Sequence, residues 1–252
     1  MSITSNEADI SELYHENTKV LPYELGVEES HLPGPIREGV VLARIALPKV
    51  APGAASGLEQ AIEWRMSSRE FDAARPLPLD ALSRLLSFSC GYTTPLFYDG
   101  LTAVEFRHAQ PSAGATYPIE VYPIILNAEA LKPGAYHYSP NDHSLELLRP
   151  GKFHQALSVW TLDQPYLAGA GAVFVLAGFS DRIKPRYGER GYRYMLLEAG
   201  HIAQNLYLLC AAYGLGALAN GGFIDAAINR LVGLNDVDQI ALYTVAVGTV
   251  KS

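Results

Sequence analysis

Apolar residues form near-continuous runs in the second half of the chain. The runs IEVYPIILNA (119–128) and GAVFVLAGFS (171–180) are rich in residues that favour strands, and each predicts a buried strand. A further run, LYTVAVGTV (242–250), predicts a last strand. Between the first two, AYHYSPNDHSLELLRPG (135–151) predicts a hairpin that turns at Pro-Asn-Asp.

Apolar residues spaced three and four apart predict helices elsewhere in the chain. Helices are expected over Gly57–Met66 and over Leu79–Tyr92, with Asp80 as a candidate cap of the second. The longest is expected over 190–213, where the glycines of YGLGALANGG end it, and another over 224–234. Strands and helices do not alternate strictly, so the pattern favours an α+β fold over a doubly wound sheet.

The remaining segments are polar or rich in proline and small residues. Residues 1–24 are expected to form an arm, 25–56 an extended, loop-rich segment, and 93–118 a long loop. We therefore expect an N-terminal arm and loop-rich segment over 1–56 and one domain over 57–252.

Composition excludes several classes of protein. The chain has 252 residues, of which 49% are hydrophobic, and a net charge of -7, without the basic excess of a nucleic-acid-binding protein. Cys90 and Cys210 form neither a disulfide framework nor a metal-site spacing. There is no apolar run near the ~20 residues that span a bilayer, and no signal-peptide pattern at the N-terminus. We expect a cytoplasmic protein that binds neither nucleic acid nor a membrane and has no metal site.

The sequence RMSSR places Arg65, Ser67 and Arg69 two residues apart. In an extended segment this spacing puts two guanidinium groups and a hydroxyl on one side, which suits a phosphate. The alternative is a helix C-terminus whose basic residues complement the helix dipole, and the spacing alone favours that alternative.

Two small-residue segments and one polar helix stripe are further candidates. PSAGATYP (111–118) lets another group approach the backbone closely, and Asn220-Gly221-Gly222-Phe223 offers backbone N–H groups; both are also compatible with ordinary loops. The spacing of Glu198, His201 and Asn205 puts them on one face of the long helix, where a hydrogen-bonded network is expected rather than a metal site.

The stretch RYGERGYRY (186–194) brings phenols and guanidinium groups together just before the longest helix. It is either a solvated, salt-bridged entrance to that helix or the rim of an active site.

In order along the chain, RxSxR, PSAGATYP, YGERGYRYMLLEAGHIAQNLYL and GLGALANGGF resemble the nitroreductase superfamily. More narrowly they are similar to the SagB-type, FMN-dependent azoline dehydrogenases, and YHENTK (14–19) is similar to the start of many such proteins. The resemblance extends from about Tyr14 to Gly248. It implies a central mixed sheet flanked by helices and a homodimer with FMN at its interface.

The resemblance also implies roles for the motifs. Arg65, Ser67 and Arg69 match contacts to the FMN phosphate and ribityl chain. A second loop would cover the flavin, contributed by the partner subunit. Gly221 and Gly222 match backbone that faces the flavin ring, and the family often places a basic phosphate contact near Lys251. The residues of the covering loop are Pro111, Ser112, Ala113 and Gly114.

The sequence departs from the family at the catalytic pair. Peptide azoline oxidases of this kind typically have Lys-Tyr where this chain has Arg186-Tyr187, and Lys184 is not an equivalent placement. Arginine stays protonated and is not expected to act as a base. Its charge would favour the phenolate of Tyr187, so Tyr187 is predicted to be the base, with Arg186 or Arg190 as electrostatic support and His201 as a minor acid–base candidate.

The resemblance implies oxidation of a thiazoline or oxazoline on a peptide or on a carrier-protein-tethered intermediate, with dioxygen reoxidising the flavin. The chain would meet this substrate on a partner protein, through a basic patch of Arg182, Lys184, Arg186, Arg190 and Arg193. Two alternatives stay open: an NAD(P)H-dependent nitroreductase or quinone reductase, and an FMN-free scaffold subunit.

Overall fold

The computed structural model describes residues 12–15, 41–49, 57–96, 105–162 and 169–251, together with positions 26, 28, 30, 33, 34 and 167. Most of the predicted N-terminal arm lies outside these residues. Residues 12–15 form a helical turn. No helix in the described ranges combines the length and apolarity needed to cross a bilayer.

A seven-stranded sheet forms the centre of the molecule, in the order β1-β6-β5-β4-β7-β9-β8. A separate hairpin consists of β2 and β3. The strands are β1 (Ala43–Ala46), β2 (Tyr92–Leu96), β3 (Glu105–His108), β4 (Ile119–Ile125), β5 (Gly134–Ser139), β6 (Ser144–Pro150), β7 (Ala172–Phe179), β8 (Leu215–Asn220) and β9 (Gln239–Thr249).

Helices cover both faces of this sheet. They are α1 (Leu58–Trp64), α2 (Leu79–Cys90), α3 (His154–Trp160), α4 (Ser180–Tyr187), α5 (Arg190–Ala212) and α6 (Asp225–Val232), and a short 3₁₀ turn spans Ala113–Ala115. α5 has 23 residues and is therefore about 34 Å long.

Strand β7 shows how one sequence pattern creates two cores. All eight of its residues are buried, because both faces of the strand are covered. Phe174 and Leu176 join the core that contains α2 and α5. Val173 and Val175 point the other way, into the core that contains α3 and α6. A run with no polar position is what such a doubly covered strand requires.

The α+β class and the helix-flanked central sheet are confirmed, with differences in detail. The sheet is antiparallel rather than mixed: every strand ladder in the described chain is antiparallel, and the bridge from Ser67 to Ala217 is parallel but isolated. The predicted loop over 93–118 contains the β2–β3 hairpin, and the helix predicted to reach Tyr92 ends at Cys90.

Three further elements differ from the sequence predictions. β1 lies in the segment expected to be loop-rich, and it pairs with β6 in the central sheet. Asp80 is not the cap of α2, because the helix begins at Leu79 and the Asp80 carboxylate binds Arg84 at 2.8 Å. β8 forms within the glycine-containing segment that was expected only to end the long helix.

β4 and β5 form a hydrogen-bonded ladder at one end only. Their ladder joins only Ile124 to Ala135 and Ile125 to Gly134. Pro123, the next residue back along β4, has no N–H to donate, and a bulge between Ala135 and Tyr136 turns β5 away. The sheet therefore opens between Ile119–Pro123 and Tyr136–Ser139.

Candidate active site

Arg186 and Tyr187 are the last two residues of α4, not part of a loop as the sequence suggested. Gly188 follows with φ 53° and ψ -143°, a conformation that residues with a Cβ avoid. This glycine allows the chain to end α4 and to begin α5 two residues later. The turn fixes where the Arg186 and Tyr187 side chains project.

The loop between β3 and β4 has an unusual backbone. Gly114, Ala115 and Tyr117 all have positive φ, of 57°, 54° and 44°. Two hydrogen bonds within the loop support this backbone: Thr116 Oγ1 donates to Ala113 O at 2.9 Å, and Ser112 Oγ accepts the Tyr117 N–H at 2.9 Å. Left-handed non-glycine residues cost on the order of 1–3 kcal/mol each, and such strain concentrates at functional sites.

Tyr187 and Arg186 contact this loop at Gly114. The Arg186 guanidinium donates to Gly114 O at 2.8 Å. A Cβ at Gly114 would collide with the Tyr187 hydroxyl and would lie 2.8 Å from the Arg186 guanidinium carbon. The Tyr187 ring also packs edge-on against Tyr194, with 5.0 Å between centroids. The predicted catalytic pair therefore lies directly against the predicted flavin-covering loop.

Glu198, on α5, also contacts this loop. Its side chain is buried, and Gln110 Nε2 donates to its Oε1 at 3.2 Å. Burial raises the pKa of this carboxyl to about 7, although hydrogen bonds from Ser112, Gln110 and the Ile119 backbone lower it. Its Oε2 is buried without a hydrogen-bond partner among the described residues, which disfavours the charged form.

The other two residues of the polar stripe also make hydrogen bonds. His201 Nδ1 lies 3.4 Å from Pro111 O, so His201 meets the start of the loop from the exposed side of α5. Asn205 Nδ2 donates to Ser89 O at 3.2 Å. The loop is thus held by Arg186, Glu198 and His201 together.

Ser67, Arg69 and Lys251 line a different cavity of about 560 Å³ near the C-terminal end of α5. Tyr207 and Gly216 line it as well. Ser67 Oγ lies 3.1 Å from Tyr207 Oη. Two cations and a hydroxyl beside one cavity are a donor set that suits a phosphate group.

Arg65, Gly221 and Gly222 are not among the residues that line this cavity. The Arg65 guanidinium carbon is 5.5 Å from the centroid of the Tyr207 ring, so the residue packs over the tyrosine. The Gly222 N–H is already bound by Asn220 Oδ1 at 2.9 Å. Gly221 is exposed, and a Cβ there would meet nothing closer than Tyr243 at 3.9 Å. Of the two glycines, Gly221 is the more accessible to a ligand.

β8 links the cavity to Gly221. The strand runs from Gly216, in the cavity wall, towards Gly221, about 17 Å away at ~3.3 Å per residue. An elongated molecule with an anionic end could therefore follow β8, with its anion at Arg69 and Lys251.

The cavity and the loop contact different parts of α5. At ~1.5 Å per residue, the separation along the helix ranges from about 9 Å, between His201 at the loop and Tyr207 at the cavity, to about 20 Å, between Glu198 and Ala211. The predicted site residues thus form two groups, one at each part of this helix.

Two contributors were missed in the sequence. The Tyr207 hydroxyl is hydrogen-bonded to Ser67 Oγ and also accepts a hydrogen bond from the Ala219 N–H at 2.8 Å. Gln110 links Glu198 to the loop. The position of Tyr207 on the same helix as Glu198 was the available signal. The suggested basic patch is partly neutralised, because Arg182 pairs with Glu120 and Lys184 lies 3.7 Å from Glu12.

The model of the nitroreductase family matches residues 62–249 of this sequence. The chain belongs to the nitroreductase family. MJ1384 of Methanocaldococcus jannaschii, which is named as a nitroreductase, is 34% identical over 179 residues, covering 71% of this chain and 85% of that protein.

A second relative is a microcin-processing protein. The microcin B17-processing protein McbC of Escherichia coli is 30% identical over 136 residues, which cover 51% of this chain and 49% of McbC. The match therefore spans about half of that relative.

Solved structures share the fold of this family member. A nitroreductase from Ralstonia eutropha superposes with a TM-score of 0.67 at 27% identity, covering 88% of this chain and 95% of that one. The E. coli microcin synthetase McbBCD complex was solved with truncated pro-MccB17 bound. It superposes with a TM-score of 0.66 at 22% identity, covering 96% of this chain and 92% of that one. A nitroreductase from Exiguobacterium sibiricum in complex with FMN superposes with a TM-score of 0.55 at 11% identity, covering 80% of this chain and 92% of that one.

Proposed function

We propose that this chain is an FMN-dependent dehydrogenase that oxidises a thiazoline or oxazoline of a peptide or carrier-tethered substrate to the azole, with dioxygen as final electron acceptor. The observation that carries the proposal is the contact of Tyr187 and Arg186 with Gly114, which puts a phenol and a cation against the flavin-covering loop. The microcin-processing relative supports a peptide substrate.

The residues present fit FMN. Arg69 and Lys251 provide positive charge beside a cavity large enough for a phosphate and part of the ribityl chain, and Ser67 adds a neutral hydroxyl. Gly221, at the far end of β8, leaves its backbone open to a planar ring. When bound, FMN would supply the two-electron acceptor for the reaction.

The chain's own residues would then handle the proton. Oxidation of an azoline to an azole removes one hydride and one proton. The phenolate form of Tyr187 is the proposed acceptor of that proton, and the Arg186 guanidinium would stabilise the phenolate. Because Arg186 also donates to Gly114 O, it would fix the loop and the phenol in one geometry.

We propose a homodimer as the complete enzyme. The resemblance to the family implies a flavin at a dimer interface, and in this chain the loop and the phosphate cavity contact different parts of α5. A second copy could place its loop over the flavin held by the first.

The experiment uses full-length protein purified with its flavin and a synthetic thiazoline peptide. Anaerobic addition of the peptide should bleach the flavin absorbance, and mass spectrometry should show a loss of two hydrogens. A flavin that stays oxidised while the peptide keeps its mass would refute the reaction.

An NAD(P)H-dependent nitroreductase is the second candidate, favoured by the 34% identity to MJ1384 and by arginine in place of lysine at position 186. Anaerobic NADPH distinguishes the two. Rapid bleaching by NADPH, with none by the thiazoline peptide, would favour the reductase; the reverse would favour the dehydrogenase.

A further inference from the structure

The opening between β4 and β5 contains a cavity of about 380 Å³ that is separate from the proposed phosphate site. Its two long walls are the separated strands, contributing Ile119–Val121 from β4 and His137–Ser139 from β5. The β2–β3 hairpin, the end of the covering loop and α4 close the other sides, through Tyr92, His108, Tyr117 and Arg182. The volume is in the range of small-ligand sites, ~300–1,000 Å³.

The ionised groups around this cavity already neutralise one another. Glu120 pairs with Arg182 and lies 2.6 Å from His137 Nε2. Burial alone would raise the pKa of Glu120, but the hydrogen bond and charge of His137, together with Arg182, lower it to about 2. A charged ligand would have to compete with these pairs, so an uncharged ligand is favoured.

Aromatic rings form the other part of the wall. His108 stacks on Tyr117 with 4.0 Å between centroids, and Tyr92 meets His108 edge-on at 4.6 Å. The Nδ1 atom of His108 lies 3.0 Å from Cys90 O, and burial lowers the pKa of this imidazole. A neutral ring that donates from Nδ1 leaves Nε2 as an acceptor.

The mouth of the cavity offers a hydrogen-bonding group. Tyr92 Oη donates to Asn141 Oδ1 at 2.7 Å, which leaves the amide N–H groups of the exposed Asn141 available to a ligand. Aromatic faces with one acceptor and one donor suit a planar, uncharged ring.

The cavity adjoins the proposed chemistry. Tyr117 is three residues after Gly114, so the two are at most about 11 Å apart. Arg182 is one helical turn before Arg186, or about 6 Å along α4.

We propose that this cavity is a specificity subsite for a neutral planar ring of the peptide substrate, two or three residues away from the reacting azoline. The inference rests on the proposed function and deepens it, because it assigns a substrate class to residues outside the candidate catalytic and FMN machinery. The ring is either an aromatic side chain or a second azole.

Equilibrium binding tests the subsite without turnover. Heptapeptides with a central thiazole carry phenylalanine, a second thiazole, glycine, lysine or glutamate two or three residues to either side. Each is titrated calorimetrically into FMN-loaded, full-length protein. At least one ring peptide should bind about 10-fold or more tightly than the glycine peptide, and the charged peptides should show no gain.

Two variants challenge the cavity, and one controls for the substitution. Asn141→Trp fills the mouth from an exposed turn, and His108→Phe keeps the stacked ring but removes its nitrogens. Gln155→Trp makes the same amide-to-indole change on the exposed face of α3. The ring preference should fall below about 3-fold in Asn141→Trp and weaken in His108→Phe, and it should persist in Gln155→Trp.

Equal binding of ring and glycine peptides by the wild type, or a ring preference that survives in Asn141→Trp, overturns the subsite. Should His108→Phe fail to fold, the Asn141→Trp result decides. The same peptides made with a central thiazoline instead of the thiazole separate this inference from the proposed function. Selective binding without oxidation refutes the reaction alone, and oxidation without ring preference refutes the subsite alone.

Discussion

Glu198→Gln should change how the stability of the protein depends on pH. The native environment moves the pKa of Glu198 from 4.5 to about 7, chiefly through burial. The folded state therefore keeps a proton that the unfolded state releases. The resulting stabilisation is fully present below pH 4.5 and is lost as the pH rises through 7.

The magnitude follows from the size of the shift. Each pKa unit is worth about 1.4 kcal/mol, so the wild type should lose about 2–3 kcal/mol of unfolding free energy between pH 5 and pH 8 through this carboxyl alone. Glutamine resembles the protonated carboxyl and does not titrate. The difference between wild type and Glu198→Gln isolates this contribution, because the other titrating groups are common to both.

The assay is urea unfolding at intervals from pH 5 to pH 8, at one protein concentration and one excess of FMN. The stability of Glu198→Gln relative to wild type should rise by about 2–3 kcal/mol across this range. Glu63→Gln, an exposed change on α1, is the matched control, and its unfolding free energy should differ from that of the wild type by the same amount at every pH. A gap for Glu198→Gln that stays constant within about 0.5 kcal/mol would show that the carboxyl is ionised throughout.

Three further changes probe the two groups of site residues. Tyr187→Phe should lower kcat for thiazoline oxidation by about 100-fold or more, with FMN content unchanged, and normal turnover would remove Tyr187 from the mechanism. Gly114→Ala places a Cβ at a positive φ and against the Tyr187 hydroxyl. The variant should have a lower kcat and a free energy of unfolding lower by about 1 kcal/mol or more. A wild-type melting curve together with a wild-type kcat would contradict the close approach. Arg69→Ala should weaken FMN binding by about 10- to 100-fold, measured by flavin fluorescence, and unchanged affinity would move the phosphate site elsewhere.

The hydrophobic pattern predicted the elements that are buried on both faces. β4, β7 and β9 have few or no polar positions, so their sequences alone indicate strands. The β2–β3 hairpin was missed because tertiary contacts stabilise it: Tyr92 stacks on Phe106 at 5.0 Å and donates to Asn141, which is 49 residues away.

Helix α4 was missed for a different reason. Its sequence, SDRIKPRY, contains Pro185 and buries only Ser180 and Ile183, so it has almost no apolar stripe to detect. Packing of α4 against α5 decides its conformation.

The residues of the candidate site were suggested by family resemblance, but their grouping was not. Spacing cannot reveal that Gly114 meets Tyr187, 73 residues later, or that Glu198 lies beneath Gln110. Such contacts depend on how α5 crosses the sheet. The local sequence also favoured a helix C-terminus at Arg65, and the structure bears this out, since α1 ends at Trp64.

If the proposed flavin-covering loop and the proposed phosphate cavity form one site across two subunits, the passage of α5 from one to the other makes that helix intolerant of changes in length. Adding or deleting one residue between Glu198 and Ala211 would rotate one group of site residues by about 100° relative to the other and shift it by about 1.5 Å. Even a seven-residue deletion, which nearly restores the angular phase, would shorten the separation by about 10 Å. We therefore expect this stretch to tolerate substitutions better than insertions or deletions.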